Sequence, residues 1–195
     1  MATLDWHQGR TGLNDIALLD AAPESDGIDL HAVRHYRQGR IRAEMLAAGV
    51  DAVILSDAVN IRYATGTRNM QVFSSRNAPS RYLLLTADRS ILHEFTGCMH
   101  LADGFDTVDE VRPALTASFV AAGREIAARE RKWAAEIGAT LAELVGRGAV
   151  VGLERLNAGA GIALAAEGFR ITDAQHPVEL ARAIKSAEEV KCIRA

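Results

Sequence analysis

The stretch "GVDAVILSDAVNIRYATG", residues 49–66, decides the fold. Its "DAVILS" segment (51–56) is a short apolar run of branched side chains, the composition of a strand buried on both faces. "NIRYATG" (60–66) reads as one helical turn closed by Gly66. Gly49 stands where a glycine ends a preceding helix. A helix, a buried strand and a second helical turn in immediate succession open an α/β unit.

Working toward the N-terminus, Leu30, Val33, Ile41, Met45 and Leu46 mark the preceding helix, with Asp29 as its N-cap and its end near Ala48. Residues 1–28 carry Gly9, Gly12, Pro23 and Gly27 and no sustained period, and are read as a polar leader or arm.

Toward the C-terminus, "MQVFS" (70–74), "RYLLLT" (81–86) and "SILHEF" (90–95) have the branched and aromatic content of strands. "ADRS" is a tight hairpin connection between the last two. Ile126, Trp133, Ile137, Leu141 and Leu144 repeat at three and four and predict a helix over 124–146, ended by Gly146 and Gly148. "AVVGLE" (149–154) is a strand, 158–167 a short helix and "FRITDA" (169–174) another strand. The expected fold class is α/β, a three-layer domain with a mixed, roughly six-stranded sheet.

Length and composition suit one globular domain: 195 residues, 49% hydrophobic and 24% charged, with a net charge of −3. That balance gives no basic field for nucleic acid. Arg34, Arg37, Arg40 and Arg42 gather on one helix, but Glu44 and Asp51 follow, and the cluster reads as a solvated face. No apolar run reaches the roughly 18 residues a membrane helix needs. Cys98 and Cys192 form no CxxC pair, so two free thiols in a reducing, cytoplasmic setting are expected.

Chemistry-bearing patterns are sparse. His31 and His35 share a helix face, yet no HExxH glutamate follows, and they read as exposed histidines. His93 and Glu94 point to opposite faces of a strand, so with His100 they make no metal set. "NAGAG" (157–161) lacks the third glycine of a dinucleotide loop, because position 164 is leucine. No GxxxxGK[ST] and no GxSxG occurs, and Ser74, Ser75 and Ser80 have no His and Asp arrangement. Asp103, Asp106, Asp109 and Glu110 read as a solvated acidic run. No catalytic residue is assigned within the chain.

The last residues, "RAIKSAEEVKCIRA" (182–195), place Ser186 and Glu189 in a capping box, with Val190 and Ile193 starting an apolar stripe. Only nine residues follow Ser186, too few for an isolated helix in water. The expectation is a linker and the first turns of a further domain over 185–195.

Several of these pieces, in this order, resemble the N-terminal domain of the creatinase, prolidase and aminopeptidase P ("pita-bread") family. Asn60, Ile61, Tyr63 and Gly66 match its Asn-Ile-x-Tyr-x-x-Gly segment. "VGLE" (151–154) and "FRITDA" are similar to its later strands. Arg182, Ile184, Lys185, Ser186, Glu188 and Glu189 match its Arg-x-Ile-Lys-Ser-x-Glu-Glu signature. The resemblance covers residues 29 to 195, with the domain itself at 29–184. Residues 60–85, through the Thr67–Gln71 segment, look closer to the dimethylsulfoniopropionate lyases of this family than to typical proline peptidases.

The resemblance implies a non-catalytic domain, serving dimerisation and substrate access, of a Xaa-Pro peptidase or prolidase-like metallohydrolase. Its catalytic domain would lie beyond residue 195, where two Asp, one His and two Glu hold divalent Mn, Zn, Fe or Co. No cofactor is expected in this chain. The implied partners are that domain, a second subunit in a homodimer, and a small peptide or small-molecule substrate; neither nucleic acid nor membrane is expected. Arg68, Met70, Gln71, Phe73 and Arg76 are implied to shape the partner's substrate pocket. The alternatives are the same domain of a dimethylsulfoniopropionate lyase-like or creatinase-like enzyme, or a freestanding binding or scaffolding domain.

Overall fold

The computed structural model describes residues 27–69 and 80–194. They fall into two units, Arg34–Ile184 and a smaller one that includes residues 27–33 and 185–194. The predicted strand over 70–74 lies outside the described residues.

In the larger unit six strands form one sheet in the order β4-β3-β2-β1-β5-β6. They are β1 (Ala52–Leu55), β2 (Tyr82–Thr86), β3 (Ser90–Glu94), β4 (Glu110–Pro113), β5 (Val150–Leu153) and β6 (Arg170–Asp173). β2 pairs antiparallel with both β1 and β3. β1 with β5, β5 with β6 and β3 with β4 are parallel. The expected mixed sheet is therefore present. β1, β2 and β3 are buried along their whole length, and β1 and β2 accordingly read as apolar runs rather than alternating ones, whereas β3 also buries Ser90, His93 and Glu94.

Helices cover both faces. α1 (Leu30–Ala47), α2 (Ala58–Thr65) and α6 (Gln175–Ala183) place Ile41, Met45, Ile61 and Val178 against Val53, Leu55 and Leu83. On the opposite face α4 (Ile126–Leu144) and α5 (Ala158–Ala166) bring Trp133, Ile137 and Leu164 onto Ile54, Leu84 and Val151. Between β3 and β4 runs a 3-10 helix, Thr96–Ala102; α3 (Phe119–Ala122) and a 3-10 turn, Gly123–Glu125, lead into α4. Alternation along β1 divides the two cores: Val53 and Leu55 face one, Ala52 and Ile54 the other.

Four readings of the sequence change here. "NIRYATG" belongs to a helix of two turns, α2, that starts at Ala58 because the Asp57 side chain caps it. The acidic run is not simply solvated: the Asp109 carboxylate accepts from the Ser90 N–H at 2.7 Å, and Glu110 opens edge strand β4. Along that strand Glu110 and Arg112 share a face and pair through two hydrogen bonds. The arginines of α1 are likewise engaged: Arg40 pairs with Glu44, Arg42 donates to the Thr86 carbonyl, Arg34 lies over Phe105 and Arg37 over Tyr63. Finally α6, β4 and the Thr96–Ala102 3-10 helix are elements the periodicity does not announce.

The glycines of "NAGAG" serve packing. A Cβ on Gly159 would fall on the Glu130 carboxylate, which also accepts from the Asn157 side chain, so a larger residue there would have to displace that carboxylate.

In the smaller unit the Asp29 carboxylate accepts from the Ala32 N–H at 2.9 Å and caps α1 as expected. α7 (Ala187–Arg194) begins with the predicted capping box. Ser186 N–H donates to the Glu189 carboxylate at 2.9 Å, and Glu189 N–H to the serine Oγ at 3.1 Å. Glu188 accepts from the Asp29 N–H and from Lys191, joining the two segments of this unit. Among the described residues no helix is long and apolar enough to cross a membrane.

Candidate functional site

The site grows from α2. Its start is fixed by Asp57, whose carboxylate accepts from the Val59 N–H at 2.7 Å, and its end by Gly66 in the left-handed region at φ 83°. Gly66 N–H returns to the Arg62 carbonyl. One face, Asn60, Ile61, Tyr63, Ala64 and Thr65, is buried. The other presents Ala58, Val59 and Arg62, positions that helical geometry stacks one turn apart.

Beyond Gly66 the strap Thr67–Asn69 is tied down by a buried polar cluster. Thr65 Oγ1 and Thr67 Oγ1 lie 2.7 Å apart, and Arg81 Nη2 donates to Thr67 Oγ1 at 2.8 Å. Arg81 Nε meets the Glu94 carboxylate at 2.5 Å, with the two side chains 4% and 1% exposed. Glu94 also accepts from the Asn69 side chain and from the Phe95 N–H. A carboxylate so removed from water requires this many donors.

The strap, α2 and the 3-10 helix together border an open cavity of about 380 Å³. Ala58, Val59 and Leu101 supply an apolar wall; Thr67 and Asn69 supply the strap side. Arg62 and Arg68 bring two guanidinium groups to the same space. Among the described residues neither arginine meets a carboxylate within salt-bridge distance. Partial withdrawal from water, then the nearby charges of Arg68 and Arg37, hold the Arg62 guanidinium below its ordinary range. Chemically, this is a pocket with one apolar side and two guanidinium groups.

A second cluster sits beside α2. Glu154, fully buried at the end of β5, accepts from Ser56 N–H at 3.2 Å, Asp57 N–H at 3.0 Å and the Asn60 side-chain amide. The oxygen of that amide accepts from Arg182 at 2.8 Å, and Tyr63 OH donates to the Ala181 carbonyl at 3.0 Å. Burial pushes the Glu154 carboxyl above the usual range, against the hydrogen bonds that pull it down. Asn60, Glu154 and Arg182, each from a different sequence motif, thus meet at one point.

Of the residues expected to shape a substrate pocket, Arg68 lines the cavity. Met70, Gln71, Phe73 and Arg76 lie outside the described residues. Arg62, Asn69 and Leu101 join Arg68 on the cavity. The signal for Arg62 was its place three residues after Val59 on one helical face, whereas Leu101 gave none. His93 and Glu94 do face apart: His93 stacks on Tyr82 at 4.6 Å while Glu94 takes Arg81. His35 meets Asp106 at 2.9 Å as an exposed pair, and His31 is exposed on α1. Cys98 and Cys192 are both free thiols.

The family model described as Creatinase/Prolidase N-terminal domain matches residues 37–184. The chain belongs to this family. As a creatinase/prolidase N-terminal domain it has sequence relatives in two proteins described as dimethylsulfoniopropionate lyase DddP. It is 28% identical to that of Roseobacter denitrificans over 200 residues, covering 100% of this chain and 40% of the relative. Against that of Roseovarius nubinhibens it is 27% identical, covering 85% of this chain and 37% of the relative. The chain therefore spans about two fifths of the length of these relatives.

Solved structures show the same fold. A Xaa-Pro aminopeptidase structure from Streptococcus pyogenes superposes with a TM-score of 0.52 at 19% identity, covering 77% of this chain and 98% of that one. The dipeptidase PepE from Mycobacterium ulcerans gives 0.55 at 19% identity, covering 84% of this chain and 40% of its own. The Asn60–Glu154–Arg182 junction gives this creatinase/prolidase N-terminal domain a physical reason for its scattered motifs: they are one hydrogen-bonded knot.

Proposed function

We propose that this chain is the non-catalytic N-terminal domain of a pita-bread enzyme, serving dimerisation and substrate access. The observation that carries the reading is the family match over residues 37–184, joined to a cavity that Arg68 lines. Arg68, Met70, Gln71, Phe73 and Arg76 follow the Asn-Ile-x-Tyr-x-x-Gly segment and are assigned to the substrate path of a second subunit in a cytoplasmic homodimer. A guanidinium there pairs with a substrate carboxylate.

The divalent metal belongs to a following catalytic domain of the same protein. Two reactions compete. The fold neighbours support the Xaa-Pro peptidase or prolidase reading. Both sequence relatives named above support dimethylsulfoniopropionate lyase chemistry.

The test is the full-length protein, its metal content measured, assayed on Xaa-Pro dipeptides and on dimethylsulfoniopropionate. Turnover of either supports the enzyme reading and selects its branch. No turnover of both by a metal-loaded dimer leaves the freestanding scaffold. Within the active protein Arg76→Ala is expected to raise KM with metal content unchanged; unaltered KM and kcat remove Arg76 from the path.

A further inference from the structure

The cavity against α2 has features that a packing defect does not share. Its two guanidinium groups come from different elements, Arg62 from the last turn of α2 and Arg68 from the strap. Among the described residues no carboxylate answers either of them, although Arg40, Arg81, Arg112, Arg155 and Arg182 are each paired with one. Arg37 adds a third positive charge close enough to act on Arg62. Holding like charges together costs free energy, and an anion bound among them recovers it. The opposite wall is apolar, with Val59 52% and Leu101 39% exposed, so surface that water now covers awaits an apolar body.

We infer that this cavity is a binding site for a small organic carboxylate. The carboxylate is gripped by Arg62 and Arg68, and the hydrocarbon portion lies on Ala58, Val59 and Leu101. Guanidinium forks suit a planar carboxylate. The apolar wall distinguishes such a ligand from inorganic phosphate, which has nothing to place there. The strap can hold its position because Glu94 and Arg81 anchor Asn69 and Thr67 from within. All these groups belong to one chain, so the chain by itself is expected to bind such a ligand. The inference deepens the proposed function and rests on it for the ligand's being substrate, not for the binding itself.

The experiment is calorimetric titration of the 195-residue chain with butanoate, hexanoate, inorganic phosphate and tetramethylammonium chloride. Hexanoate is expected to saturate in the millimolar range and to bind on the order of tenfold more tightly than butanoate, from two further buried methylenes. Arg62→Ala and Arg68→Ala are each expected to weaken hexanoate by roughly tenfold. Arg131→Ala, on the exposed face of α4, leaves it unchanged. Arg62→Gln keeps the apolar stem and separates lost charge from lost folding, which thermal melts monitor. Absence of saturable hexanoate binding overturns the inference, as do unchanged affinities in both arginine variants. Phosphate binding as tight as hexanoate overturns the organic class. If the chain binds hexanoate through both arginines while the same substitutions leave KM of the full-length enzyme untouched, the site stands and the substrate-access reading falls.

Discussion

Asn60 and Glu154, 94 residues apart in the chain, share a hydrogen bond in the interior, the Asn60 amide donating to the Glu154 carboxylate. The same carboxylate caps two backbone N–H groups at the entry to α2, so a buried charge and the start of a helix depend on each other. Glu154→Ala leaves three donors without an acceptor and is expected to cost about 3 kcal/mol or more. Glu154→Gln, which keeps one oxygen, is expected to lose roughly half as much. Urea unfolding measures both, and equal losses would show that the number of acceptors does not matter.

Arg81 and Glu94 form a buried ion pair at 2.5 Å. Removing either partner alone strands a charge, and Arg81→Ala or Glu94→Ala is expected to cost about 3–5 kcal/mol. The double replacement Arg81→Met with Glu94→Leu leaves no charge to strand and is expected to recover most of that loss. A double variant as unstable as the singles combined would contradict this account.

Acid sensitivity centres on His93. Burial first, then the charge of Arg112, lowers its pKa from 6.5 to about 4. In this window the unfolded chain binds a proton that the folded one refuses, so stability falls as pH drops from about 6.5 to about 4 and then levels off. The full effect is about 3 kcal/mol. His93→Phe, which keeps the stacked ring against Tyr82, is expected to abolish that part of the slope in unfolding curves taken across the window.

Gly66 stands at φ 83°, and a Cβ there would meet the Arg34 side chain and approach the Phe105 ring to 3.0 Å. Gly66→Ala is expected to cost about 1–2 kcal/mol. Gly66→Asn places the same Cβ but tolerates left-handed backbone better, so it should cost less. Identical melting points for the two would assign the whole cost to crowding.

The signals that read correctly were local. Gly66 and Gly49 punctuate helices because a left-handed residue is a property of one position. Ser186 and Glu189 announce their capping box because partners three residues apart need nothing from elsewhere. β1 and β2 were legible because burial on both faces leaves continuous apolar runs. β4 was not. Its four residues include Glu110, Arg112 and Pro113, and what makes it a strand is pairing with β3, which composition does not encode. A proline is tolerated there because the strand lies at the sheet's edge.

By itself the sequence determined the class of fold, the helix ends marked by Gly49 and Gly66, and the family, since these follow from periodicity, backbone preference and motifs in a fixed order. Tertiary structure alone decided which distant side chains meet. It brought Asn60, Glu154 and Arg182 to one buried point, withdrew Arg81 and Glu94 from water, and set Arg62 and Arg68 on one cavity with no carboxylate among the described residues to answer them. The physical reason is that a side chain's charge and hydrogen bonds acquire their energies from the dielectric and the partners around it, and those exist only after the chain has closed.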